Sequence, residues 1–250
     1  MPFVEVNDKN IHYNITGKGD YVILLHNGFY STETWDCVRE ELSKDFTVID
    51  YDRYGYGKSD KFIKMLDGDI IKNYVYELES FVNKLNLKSF HLCGHCLGGA
   101  ISLFYAINNP DRVKKIIAES VGYYTDFKIT VKSDWTFQSY DKMDNKLRES
   151  LQKMHGLEYS RLFWELLCDY KNGYIMKEDY DILDDIKKVK NSVLIINGDN
   201  DFYFGLDQPI KAFKKIKNAN LWVVPNTGHD VHIENSEMFI YNIRKFLKKI

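Results

Sequence analysis

The chain has 250 residues, 44% hydrophobic and 28% charged, a make-up that supports a substantial globular core. A formal charge of −2 and a pI near 6.4 give no electrostatic reason to expect nucleic acid or an anionic membrane as partner. No apolar run approaches the roughly 20 residues of a membrane helix. The start Met1-Pro2-Phe3-Val4 lacks a secretory pattern, and cysteines at 37, 93, 96 and 168 are too irregular for a disulfide framework. The expectation is a cytoplasmic protein with reduced thiols.

Phe3 to Val6 and Ile11 to Ile15 alternate apolar and polar residues around Asn7-Asp8-Lys9-Asn10, which predicts an opening hairpin. Tyr21 to Leu25 is a continuous apolar run, the pattern of a strand buried on both faces. It ends in the turn His26-Asn27-Gly28-Phe29-Tyr30, and Ser31 to Leu42 then reads as a short helix. Phe46 to Tyr51 is a second buried strand, followed by Asp52-Arg53-Tyr54-Gly55-Tyr56-Gly57-Lys58-Ser59. Asp69 to Leu85 places Ile70, Tyr74, Leu78, Phe81, Val82 and Leu85 on one helical face.

A strand from Ser89 to Cys93 runs into a helix from Leu97 to Asn108. Asn109-Pro110 closes that helix, because the residue before proline avoids the helical region. Val113 to Val121 is one more strand. From Gly122 to Lys190 no buried strand appears and aromatic residues accumulate. Strand and helix then resume at Ser192 to Ile196, Gln208 to Ile216, Leu221 to Val224 and Ser236 to Leu247. This alternation predicts an α/β fold, a mostly parallel twisted sheet flanked by helices. The sheet core takes residues 1–121 and 191–250, and 122–190 is expected to form a helical cap.

Between the strand and helix at 89–108 stands Gly94-His95-Cys96-Leu97-Gly98-Gly99. A side chain at the tip of a tight strand-to-helix turn needs a strained backbone and neighbours of almost no bulk. Such a turn is a nucleophile elbow, usually Gly-x-Ser-x-Gly, here centred on Cys96. The other motifs fall in order around it. His26-Asn27-Gly28 follows the first buried strand, the 52–59 segment follows the second, and Pro110-Asp111-Arg112-Val113 follows the elbow helix. Gly198-Asp199-Asn200-Asp201 comes after the insertion and Gly228-His229 near the end. With these motifs the chain resembles the α/β-hydrolase family over nearly its whole length. It departs from the commoner pattern at Cys96, where serine is usual, and at Asn27 in the His-Gly-x turn. Dienelactone hydrolases and polyhydroxyalkanoate synthases also carry Gly-x-Cys-x-Gly-Gly, but the former usually lack so large a lid and the latter are longer.

The resemblance and the local chemistry together assign roles. Cys96 is the candidate nucleophile; at a helix start beside an imidazole its thiol is expected to ionise readily and to form a thioester intermediate. His229 is the candidate base, with His232 its competitor. Asp201 is the candidate acid by its spacing from Gly198; Asp199 reads as a loop-bracing carboxylate and Asp207 as a distant third. The order nucleophile, acid, base is that of the family. The oxyanion donors are expected to be the amides of Leu97 and Gly28, with Phe29 the alternative to Gly28. The 52–59 segment reads as structural. His95 is expected to point away from the nucleophile as a partly exposed or hydrogen-bonded side chain near the pocket. Phe29, His95, Tyr124, Trp135 and Trp164 are the candidate pocket residues.

Cys93-Gly94-His95-Cys96 also spells a dithiol redox motif, without the lead-in or helix position that such a motif has. A cross-link of Cys93 to Cys96 under oxidation is a side expectation. No cofactor or metal site is expected. The resulting reading is a hydrolase of ester, thioester or lactone carbonyls acting on a small-molecule acyl substrate. The alternatives are an acyltransferase with the same acyl-cysteine, and a ligand-binding receptor or scaffold on the hydrolase fold.

Overall fold

In the computed structural model the described residues are 2–66, 68–125, 139–173 (backbone alone from 169) and 180–248. Eight strands form one sheet: β1 Phe3–Val6, β2 Lys9–Gly17, β3 Tyr21–Leu25, β4 Thr47–Tyr51, β5 Phe90–His95, β6 Val113–Glu119, β7 Ser192–Gly198 and β8 Ala219–Val224. Their order is β1-β2-β4-β3-β5-β6-β7-β8. The first two pairings are antiparallel, and β4 through β8 pair in parallel. This is the mostly parallel sheet that the alternation of strands and helices predicts, in the α/β-hydrolase fold that the family resemblance implies.

Period-two alternation in the buried strands divides the core between the two faces of the sheet. Ile23, Leu25, Ile49, Leu92 and Ile116 face one side, with the apolar stripes of α2 (Ile70–Lys84) and α3 (Leu97–Asn108). Val22, Leu24, Val48, Cys93 and Ile117 face the other, with Val38 and Leu42 of α1 (Asp36–Leu42). Because successive side chains point opposite ways, Leu92 and Cys93 belong to different faces. Cys93 therefore packs with Val22, Leu24 and Trp35, and burial pushes its thiol well up. That placement contradicts the expected cross-link between Cys93 and Cys96.

The predicted helix over Ser31 to Leu42 is in fact two pieces. The Ser31 side chain caps a 3-10 turn, Thr32–Trp35, and α1 begins only at Asp36. Asp69 starts α2 by accepting from the amides of Ile71 and Lys72 at 3.0 and 3.1 Å.

Within 122–190 the described helices are α4 (Asn145–His155), α5 (Tyr159–Gly173) and α6 (Leu183–Ile186). They are tied to the loops that follow β3 and β4. The Tyr159 hydroxyl donates to Gly55 O and accepts from Phe62 N, both at 3.0 Å. Tyr124 and Asp181 form an isolated bridge where the chain leaves and re-enters the sheet layer. Beyond β7 the chain adds α7 (Asp207–Lys215), α8 (Val231–Glu234) and α9 (Ser236–Lys248), whose Phe239, Ile240 and Ile243 complete the second face.

Candidate active site

β5 ends at His95, and the next residue carries the backbone that the glycine spacing implies. Cys96 has φ +52° and ψ −113°, a conformation that costs a residue with a side chain about 1–3 kcal/mol. Its amide donates to Glu119 O on β6 at 2.8 Å, and its carbonyl accepts from Gly99 N and Ala100 N at 3.0 and 3.1 Å. A Cβ on residue 94 would overlap the Gly98 carbonyl, and one on residue 98 would overlap those of Leu25 and His26. The turn therefore closes only with glycine at both places.

His229 follows β8, and its Nδ1 donates to Asp201 Oδ2 at 3.0 Å. That bond leaves Nε2 for Cys96, its other side-chain partner. Burial opposes charge on this ring, but Asp201 and Cys96 together outweigh it and hold its pKa well above the usual imidazole range. Asp201 is oriented in turn: Oδ1 accepts from Tyr203 N at 2.9 Å and Phe204 N at 3.3 Å. Asp199 instead accepts from Thr227 N at 3.2 Å and braces the neighbouring loop. Asp207 lies on the surface with Tyr124 and Lys211.

His232, the competitor for the base, is bound elsewhere. Its Nδ1 donates to Glu119 Oε1 at 2.9 Å, its amide donates to the same oxygen at 2.9 Å, and its ring stacks on Trp35. His95, Glu119 and His232 are fully buried and offer ligand atoms within 4.8 Å of one another, so they are the described group that could hold a metal ion. The direct His232–Glu119 bonds make it a hydrogen-bonded brace between β6 and α8.

In the loop after β3, Asn27 ties up the turn whose register it leaves open in the sequence. Asn27 Oδ1 accepts from the amides of Phe29 and Tyr30 at 2.9 and 2.8 Å, so the Phe29 amide is already used. Among the described residues the Gly28 amide has no protein acceptor. A Cβ on Gly28 would stand 3.9 Å from Leu97 Cδ2, so this loop packs against the first residue of α3. Arg53, fully buried, donates to His26 O at 2.6 Å and to Asn27 O, and Tyr56 OH donates to Gly28 O at 3.2 Å. The 52–59 segment thus acts by holding this loop.

The pocket candidates fare differently. A small cavity of about 50 Å³ opens on Cys96 and is lined by Ile70, Ile71, Leu97, Ala100, Tyr180 and Phe204, among others. His95 is not exposed; it is buried behind the base, donating from Nε2 to His229 O at 3.2 Å, and burial beside His229 and His232 holds its pKa far down. Tyr124 turns outward to Asp207 and Lys211. Phe29 packs against the buried Trp164, ring centroids 5.7 Å apart, one layer outside the cavity lining. Trp135 lies outside the described residues. The described lining comes from the starts of α2 and α3, from Tyr180 and from Phe204, the last residue of the aromatic run Phe202-Tyr203-Phe204. That run directly follows the candidate acid and was the available signal.

Sheet order, elbow and the acid–base pair after β7 and β8 define an α/β hydrolase architecture. A family model described as the alpha/beta hydrolase fold matches residues 21–144. Serine hydrolase BPHL of Homo sapiens is 24% identical over 252 residues, covering 98% of this chain and 85% of that protein. The 2-hydroxy-6-oxo-2,4-heptadienoate hydrolase of Pseudomonas putida is 25% identical over 263 residues, covering 96% and 92%. In three dimensions a meta-cleavage product hydrolase from Pseudomonas fluorescens IP01 is similar with a TM-score of 0.80 at 21% identity, covering 99% of this chain and 97% of that one. The chain has the α/β-hydrolase fold, and its sequence matches that family's model over residues 21–144.

Proposed function

We propose that the chain hydrolyses ester, thioester or lactone carbonyls through a covalent acyl-cysteine, with residues 122–190 as a helical cap over the site. The observation that carries this reading is the His229 ring held between Asp201 and Cys96, with Cys96 on a strained elbow beside the Gly28 and Leu97 amides. Cys96 Sγ, its proton passed to His229 Nε2, attacks the acyl carbon, and the carbonyl oxygen takes up negative charge facing those two amides. Collapse breaks the bond to the alkoxide or thiolate leaving group, which takes a proton from His229. Water then attacks the thioester while His229 accepts its proton, and breaking the S–C bond releases the acid. Asp201 keeps the ring oriented and stabilises its cationic form throughout.

The cavity points to the acyl group. Its described lining is apolar and aromatic, with no charged side chain. The Pseudomonas putida relative is named for a dienoate, a carboxylate that needs a cation or several donors to be bound. The cavity here suits a small, uncharged acyl group.

The test is turnover of p-nitrophenyl esters and thioesters of two to eight carbons by the wild type and by Cys96→Ala. The wild type releases free acid from neutral acyl groups and prefers them to acyl groups ending in carboxylate. Cys96→Ala loses at least about 10³-fold in kcat/KM. Unchanged hydrolysis by Cys96→Ala would remove Cys96 from the mechanism.

A further inference from the structure

The loop 26–29 has a donor on every carbonyl. Arg53 serves His26 O and Asn27 O, and Tyr56 OH serves Gly28 O. The fourth, Phe29 O, is bonded by a residue from a distant part of the chain, His155 at the end of α4, whose Nε2 lies 2.7 Å away. The same ring accepts from Gly57 N through Nδ1 at 3.0 Å. Since the Gly57 amide can only donate, Nδ1 is unprotonated and Nε2 carries the hydrogen given to Phe29 O. The ring is buried, packed at a tilt on Phe163 with centroids 4.1 Å apart and edged by Tyr56 at 5.9 Å. Burial holds its pKa down at about 4, which keeps it neutral and in this tautomer at ordinary pH.

We infer that His155 is a positioning residue for the oxyanion hole, contributed by the inserted helices and fixing the peptide that follows Gly28. The inference rests on the proposed role of the Gly28 amide. Phe29 N is tied to Asn27 and Phe29 O to His155, so the 28–30 backbone is clamped on both edges, while the Gly28 N–H has no protein acceptor among the described residues. The orientation of an amide toward a developing oxyanion matters steeply, because misplacement by about 1 Å costs up to about 10²-fold in rate. Through this one imidazole, helices that close over the acyl group also set the donor that stabilises its transition state.

Two variants and three readouts test it. His155→Leu removes both bonds, and His155→Gln retains one acceptor and one donor. Amide exchange measured by mass spectrometry rises in His155→Leu across residues 27–30 and 57, with no rise over the elbow strand. In the same variant kcat for ester hydrolysis falls about 10-fold or more at little-changed KM, whereas alkylation of Cys96 by iodoacetamide, which forms no oxyanion, keeps its rate. His155→Gln recovers much of both losses. Unchanged exchange at 27–30 overturns the inference whether or not the protein turns over esters. Parallel losses of turnover and alkylation overturn it too, by showing general damage to the fold. Failure of the wild type to hydrolyse any acyl substrate would sink the proposed function instead, and the exchange readout would still decide the role of His155.

Discussion

Single residues carry the chemistry here through their immediate partners. Asp201 holds His229 by one bond of 3.0 Å and is itself held by two backbone amides. Asp201→Asn keeps the shape of the side chain but removes the charge that favours the protonated ring, and kcat is expected to fall about 10³–10⁴-fold. The same pair affects stability. The folded His229 pKa lies above its ordinary value of 6.5, so the contribution is fully present below that value and is lost as pH rises through the folded one. Melting temperatures of wild type and Asp201→Asn should differ most near pH 6 and converge in alkali. The grouping of Cys96, His229 and Asp201 was legible in the sequence because each lies within three residues of a glycine that marks its turn. His155 was not, since nothing within its own helix announces that its ring meets a loop about 126 residues away.

At the scale of elements, the elbow and α2 are the informative cases. Gly98 lies where α3 touches the end of β3, and its place against the Leu25 and His26 carbonyls makes it a joint between the nucleophile and the oxyanion loop. Gly98→Ala should destabilise by about 1–3 kcal/mol and lose activity beyond what the shift in thermal midpoint explains, because the forced movement is at the site. α2 carries a different strain. Glu77 is buried, its Oε2 accepting from Tyr54 N at 3.1 Å and its Oε1 without a partner. Burial raises its pKa from 4.5 to about 7, against the pull of the Tyr54 amide and Arg53. For a carboxyl so raised, the folded state is favoured below pH 4.5 and loses on the order of 3 kcal/mol as pH rises through 7. Glu77→Gln should match the wild type at pH 4 and be the more stable protein at pH 8, as denaturant melts at the two pH values would show. The α2 stripe was readable from spacing alone. The carboxylate inside it was not, because Glu77 takes its burial from Tyr54 and Arg53 on another loop.

Over the whole molecule, the fold was legible because the buried strands carry short apolar runs, Tyr21–Leu25, Val48–Ile49 and Val193–Ile196 among them, separated by helical stripes. Strand order, crossing over at β3 and β4, follows from no local pattern and came with the ordered motifs of the family. The pocket was the least legible part: its walls come from α2, α3, the loop after β7 and Tyr180, which only the finished fold brings together. What the molecule as a whole sets up is the Cys96 thiol on a strained turn at the C-terminal edge of the sheet, opening on an apolar cavity. The central claim is that this thiol carries the acyl group during turnover. Its most direct measurement is intact mass after rapid acid quench of the protein with p-nitrophenyl acetate, followed by peptide mapping. The account predicts a transient gain of one acetyl group on the peptide containing Cys96, accumulating in His229→Ala and absent in Cys96→Ala. Acetate released with no adduct at Cys96, or an adduct confined to Cys37 or Cys168, would contradict it.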